Sequence, residues 1–290
     1  MDTFTFKAIG TEWCISLDGG KISTEFSNEI YSRVQKFEKQ FSRFIIDSEV
    51  NSFRNAKQGT YPISEEFYKL LLRADILKVL TDGRYDPTVA GLLERAGYDK
   101  DYSFKVKNDV DSFSIPEWSL ERGLLKLSGP TTFDIGGIGK GYCIDLVADI
   151  LKENNYDYFM VEAGGDMFGT TKSNGDSWNI AIQLPGKYDE AAGTTKLNSE
   201  AIAVSDTFRR RWGNWNHIVN PHLKKPIEDI VGASAVAETA FDADSMTSAL
   251  FLGDNNSYSE AAKKFNSSYL IFYKNNSCLK SNNWKGKLFE

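Results

Sequence analysis

The sequence predicts an α+β fold, with mixed sheets and interspersed helices in one domain over residues 1–290 that leaves room for two lobes. Three observations lead there. Apolar repeats at helical spacing are interspersed with short β-rich runs, but without the regular strand–helix–strand rhythm of a doubly wound sheet. No Pro/Ser/Gly-rich linker and no internal repeat divides the 290 residues. Hydrophobic residues at 41% and charged residues at 26% give the balance of a globular chain with an ample core.

The elements follow in order. Residues 4–18 read as a strand broken at Gly10 and closed by Gly19-Gly20. Ile30, Val34, Phe37, Phe41 and Phe44 mark an amphipathic helix over 27–44. Phe67, Leu70, Leu71, Ala74, Leu77 and Val79 mark a second over 64–81, opened by Ser64 with Glu65 and Glu66 and stopped by Thr81-Asp82-Gly83. A turn at Asp86-Pro87-Thr88 leads into a short helix ending near Ala96, and short strands are expected over 112–115 and 124–128. A glycine cluster then feeds a helix over 140–152 whose apolar face is Tyr142, Leu146, Val147, Ile150 and Leu151. Strands follow at 158–161, 178–183, 201–205 and 231–236, then a helix over 243–252 and a late strand over 269–273.

Composition excludes several function classes. A net charge of -6 argues against nucleic acid as a main partner, since phosphate backbones are met by basic surfaces. It also argues against docking on an anionic membrane. Cys14, Cys143 and Cys278 are odd in number and widely spaced, which fits neither a disulfide framework nor a CxxC metal site. No apolar run reaches the roughly 18 residues of a transmembrane segment. The first residues show no signal-peptide pattern, so a cytoplasmic location is the expectation.

Three segments carry chemistry. Asp134-Ile135-Gly136-Gly137-Ile138-Gly139-Lys140-Gly141 stands just before an amphipathic helix. Glycines allow close backbone approach, a helix N-terminus offers free N–H groups, and Lys140 adds charge, a combination suited to phosphate or pyrophosphate. The spacing matches neither a P-loop nor a dinucleotide fingerprint; a tight turn without ligand is the competing reading. A second glycine turn, Glu162-Ala163-Gly164-Gly165-Asp166, follows a buried strand, and two such turns beside carboxylates suggest a shared cleft. In the helix over 243–252, Asp244 and Ser248 are four residues apart and share a face. Both offer hard oxygens suited to magnesium, and helix capping is the alternative. His217, one of two histidines, reads either as structural or as a group that holds substrate or moves a proton.

These segments, with Gly10-Thr11, Phe41-Ser42-Arg43-Phe44, Thr81 to Val89 and His217-Ile218-Val219-Asn220-Pro221, resemble the ApbE family of FAD:protein FMN transferases in order and spacing from Gly10 to about Gly253. The resemblance implies a mixed α+β, T-fold-like architecture with a central FAD cleft. It implies FAD contacts from Asp86, Thr88, Asp134, Gly136, Gly137, Gly139, Lys140, Glu162, Gly164, Gly165 and His217. It implies a Mg2+ site from Asp244, Ser248 and the Gly139 carbonyl, with Asp244, His217 and Lys140 serving catalysis. The implied reaction moves FMN from FAD to a threonine or serine of an acceptor apo-flavoprotein and releases AMP. A magnesium-dependent FAD pyrophosphatase and a non-catalytic flavin binder are the alternatives. Two departures stand out: Ser248 where the family usually has threonine, and a stretch after His217 that lacks the family's usual Thr-Gly pair.

Overall fold

A computed structural model describes residues 1–289. Its frame is an eight-stranded sheet of Asp2–Ala8, Thr11–Leu17, Phe159–Ala163, Asp166–Gly169, Glu200–Asp206, Ile230–Ala237, Ser268–Tyr273 and Cys278–Lys280. The strands lie side by side in chain order, each antiparallel to the next. The fold is therefore α+β, as the sequence predicts.

Alternation along the strands separates two cores. Ala201, Ala203, Ala235 and Ile271 face the larger core, while Ile202, Val236 and Leu270 face the other side. That second core is closed by a small sheet of Trp178–Leu184, Lys187–Leu197 and Lys287–Leu288, through Trp178, Ile180, Ile182 and Leu197. The larger core is covered by helices α1 (Thr24–Phe41), α2 (Glu65–Leu80), α4 (Gly139–Glu153) and α5 (Ala240–Leu252), with the short α3 (Ala90–Arg95) and α6 (Asn255–Lys264) alongside. A three-stranded sheet of Gly59–Pro62, Leu124–Leu127 and Trp118–Glu121 belongs to the helical side. Among the described residues no helix is long and apolar enough to cross a membrane.

Local chemistry sets the helix ends. Ser23 and Ser64 cap α1 and α2 by accepting N–H bonds from Phe26 and Phe67, both at 3.1 Å. Thr239 caps α5 through the Asp242 N–H at 3.1 Å, so Asp244 does not cap its own helix. Instead α4 and α5 cap each other. Asp145 of α4 accepts the Ala240 and Phe241 N–H groups at 2.8 and 2.9 Å, and Asp244 of α5 accepts the Gly141 N–H at 2.8 Å. The close crossing needs Gly141: a Cβ there would stand 2.2 Å from the Ala240 carbonyl oxygen and 2.7 Å from Asp244 Cβ.

Some expected elements differ. The first helix ends at Phe41, because Phe44 leaves the helix to join an aromatic group with Tyr98 and Tyr102. The strand expected over 112–115 is absent; Val110–Ser112 form a 3-10 turn, and Phe113 is buried as a packing residue beneath Arg95. Helix α6, for which the sequence reading names no element, is weakly apolar and buries only Ser257, Tyr258 and Ala261; Asp254 starts it by accepting the Asn256 and Ser257 N–H groups, both at 3.1 Å.

Gly141→Ala is expected to push α4 off α5 and to cost about 1–3 kcal/mol as an overpacked contact. Denaturant unfolding checks this. A variant as stable as the parent would show that the crossing yields freely.

Candidate active site

Between the helical side and the sheet lies a cavity of ≈ 580 Å³. Ten of the sequence-derived site residues line it: Asp86, Asp134, Gly136, Gly137, Gly139, Lys140, Gly164, His217, Asp244 and Ser248. Thr88, Glu162 and Gly165 stand outside its lining. Thr88 is consumed locally, its hydroxyl and N–H both donating to Asp86 Oδ1 at 2.7 and 2.9 Å. Glu162 pairs in register with Cys14 between two strands, and burial and Glu12 raise its pKa. Asp86 reaches the cavity wall, but its oxygens are spent on this turn, on the Trp118 indole at 3.2 Å and on Lys78 at 2.7 Å.

The glycine loop is held from both sides. Asp134 accepts the Gly136 N–H at 2.6 Å and the Arg43 Nε–H at 2.7 Å, and Arg43, nearly wholly buried, donates to the Tyr98 carbonyl at 2.8 Å. From the opposite side the Ser248 hydroxyl donates to the Gly137 carbonyl at 2.7 Å. Asp244, one helical turn earlier, reaches the start of α4 as described. The acidic helix and the glycine loop thus form one unit. The second glycine turn approaches through Gly164, whose φ of +58° lies in the left-handed region and whose added Cβ would stand 2.4 Å from Thr11 Oγ1.

Burial sets the charges. It raises the Asp244 pKa, while Lys140 and the Gly141 N–H pull it back down. It lowers Lys140 to about 8, Asp244 opposing the shift and Arg210 and Arg209 adding to it. Lys140 stays largely protonated at neutral pH and forms a close ion pair with Asp166. His217 is pushed down to about 4 by burial and then by Arg210, so its imidazole is neutral at pH 7; its Nδ1 is buried without a hydrogen-bond partner. The Tyr85 hydroxyl is likewise buried and unpartnered, and burial, with Asp134 and Asp244, drives its pKa well up.

Sequence reading gave no role to several wall residues. Arg43 and Tyr85 lie inside recognised segments but carry no signal of their own, and Asp166 stands behind the wall, paired with Lys140. Arg209 and Arg210 do carry one: they begin a run of three arginines in an acidic chain. Arg209 donates to the Gly164 carbonyl and to Gln183 Oε1, both at 2.8 Å, and so ties the second glycine turn to the small sheet.

The donors around Asp244 are all oxygens. Asp244, Ser248 and Gly137 line the same cavity, with the Ser248 hydroxyl on the Gly137 carbonyl, while no group of three or more His, Cys, Asp or Glu forms a metal cage among the described residues. This set fits magnesium held by one carboxylate and completed by substrate phosphates. It does not fit zinc.

The His217 shift has a testable sign. Between pH 6.5 and about 4 the unfolded chain binds a proton that the folded histidine refuses, so His217 withdraws stability as pH falls. His217→Asn removes that contribution. Asp145 pulls the other way over part of the same window, because burial raises its carboxyl to about 6. The comparison is therefore variant against parent: the variant should gain roughly 2–3 kcal/mol relative to the parent between pH 7 and 4.5 in chemical unfolding. A constant difference would mean His217 titrates normally.

Comparison with known proteins finds relatives over nearly the whole chain. The ApbE family model matches residues 9–271. A protein of Haemophilus influenzae named FAD:protein FMN transferase is 27% identical over 298 residues, covering 93% of this chain and 86% of its own. The Escherichia coli K12 protein of the same name is 23% identical over 269 residues, covering 85% and 76%. Among solved structures, the ApbE protein of Thermotoga maritima superposes with a TM-score of 0.84 at 23% identity, over 98% of this chain and 97% of its own. The flavin transferase ApbE of Vibrio cholerae gives 0.82 at 22% identity, over 98% and 97%.

Proposed function

Because this chain belongs to the ApbE family, we propose that its cavity binds FAD and that the chain transfers the FMN moiety to a threonine or serine hydroxyl of an acceptor flavoprotein. One observation carries the reading most directly: the glycine loop, Lys140, the Asp244–Ser248 face and His217 border a single cavity.

The chemistry is a phosphoryl-type displacement. The acceptor oxygen bonds to the FMN-side phosphorus, the bridging P–O bond breaks, and AMP leaves with the bridging oxygen. The hydroxyl proton must go to a base. His217 is neutral with a free Nδ1, and so is suited to accept it directly or through water. Lys140 presents positive charge to the pyrophosphate beside the N-terminus of α4. The Tyr85 hydroxyl, kept protonated by burial, offers a donor to an oxygen inside the cavity. Asp244, Ser248 and a glycine-loop carbonyl, Gly137 or Gly139, would hold Mg2+, which when bound neutralises pyrophosphate charge.

Asp244 also supports the fold, so two variants separate its duties. Asp244→Ala removes the acceptor for the Gly141 N–H and a second carboxylate near Lys140, besides its ion-pair partner Asp166; it should lose about 1–3 kcal/mol of stability together with transfer. Asp244→Asn keeps an oxygen for the Gly141 N–H and should recover most of the stability without recovering transfer. The assay is incubation with FAD, Mg2+ and an acceptor apo-flavoprotein, reading covalent flavin on the acceptor and free FMN and AMP. Covalent flavin from the parent is the expected result. Free FMN and AMP alone would assign a pyrophosphatase, and unchanged FAD a binder. An Asp244→Asn variant that flavinylates at the parental rate would remove Asp244 from the metal site.

A further inference from the structure

We propose that Asp166 is the positioning residue for Lys140, holding the ammonium at the cavity wall where it meets substrate phosphate. The proposal rests on the reading of the cavity as an FAD site, but its geometry stands separately. Asp166 is wholly buried, and both its oxygens are committed. Oδ1 accepts the Val204 N–H at 2.8 Å, and Oδ2 pairs with Lys140 Nζ.

The backbone explains why this carboxylate is so firmly placed. Asp166 follows Gly164 and Gly165, whose φ values of +58° and +99° make a tight turn. It then begins a strand that pairs with the strand Glu200–Asp206 as far as Met167 and Ile202. Just beyond the last ladder pair, the Asp166 side chain takes the Val204 N–H and continues the sheet edge. The carboxylate is therefore a fixed part of the sheet, and not a mobile surface group.

Lys140 differs. Its side chain is 22% exposed and lines the cavity, so Asp166 takes one side of the ammonium and leaves the other towards open space. A four-carbon stem with free rotamers would otherwise lose entropy on binding an anion. The ion pair removes that freedom in advance, as a supporting residue does for a binding group.

The test uses FAD affinity by calorimetry together with the acylation rate of Lys140 by an amine-reactive reagent, read by peptide mass spectrometry. Lys140→Ala is expected to weaken FAD by roughly tenfold or more, the size of one charge-assisted contact. Asp166→Asn keeps an oxygen for the Val204 N–H and should weaken FAD comparably. The double variant should be no weaker than either single one, because both remove the same contact. Asp166→Asn should also acylate at Lys140 several-fold faster than the parent. Parental affinity in Asp166→Asn, multiplying losses in the double variant, or an unchanged acylation rate would each overturn the proposal. If Asp166→Asn does not fold because Lys140 is left unpaired in a buried place, Asp166→Asn with Lys140→Met should fold again and bind FAD like Lys140→Ala; failure to recover would overturn it too. If the parent itself binds no FAD, the FAD reading of the cavity fails, and the acylation comparison still decides whether Asp166 restrains Lys140.

Discussion

The reciprocal capping of α4 and α5 is the constraint on which the site depends. Each helix lends an aspartate to N–H groups at the start of the other. These are groups that helices cannot satisfy internally. With Gly141 at the crossing, the two starts are pressed together beside the cavity. The start of α4, carrying Lys140, then faces the cavity, and the first turns of α5 bring Asp244 and Ser248 to the same place. A shift of one helix would move the cation, the carboxylate and the hydroxyl together. Asp244 supports this crossing, so the role proposed for it in the site would couple stability to function.

A second theme is local charge against a contrary background. The chain is acidic overall, yet the cavity wall carries Arg43, Lys140, Arg209 and Arg210. Three of these are tied: Arg43 to Asp134, Lys140 to Asp166 and Arg209 to Gly164, Gln183 and Asp206. Tying costs some field strength but fixes direction, and direction is what a pyrophosphate site requires. His217 and Tyr85 show the complementary effect. Desolvation keeps both uncharged, so they remain polar partners without adding to the repulsion among the cations.

Much of this was legible in the sequence because it rested on local rules. Ser64 and the apolar spacing of α2 gave its limits nearly to the residue. The two glycine turns and the Asp244–Ser248 spacing placed one polar side of the wall. What was not legible depended on contacts between distant residues. Phe44 continued a helical period while packing elsewhere, so the period overran the helix. Asp86 and Thr88 look like ligand groups in a motif, but their oxygens close a turn against Trp118 and Lys78. Asp166 carried no signal beyond its place after two glycines; its meaning comes from Lys140, 26 positions earlier. The capping of α4 by Asp244 was invisible for the same reason, since helix-end rules look along the chain and not across a crossing.

The order of strands in the large sheet has a consequence for how the molecule is made. The eight strands lie in chain order as seven neighbouring pairs, but Thr11–Leu17 pairs with Phe159–Ala163 across the whole stretch from residue 18 to 158. Closing that pair is the costly long-range step, since loop entropy must be lost before the ladder returns it. Asp134 and Lys140 lie within the intervening stretch, whereas Asp166, His217 and Asp244 come after it. On the ribosome, the helices of the first half can gather before any of the later strands exist, yet the cavity cannot close until the chain is nearly complete. Ligand capture therefore reports the end of folding, and the emerging polypeptide is without this pocket for most of its synthesis.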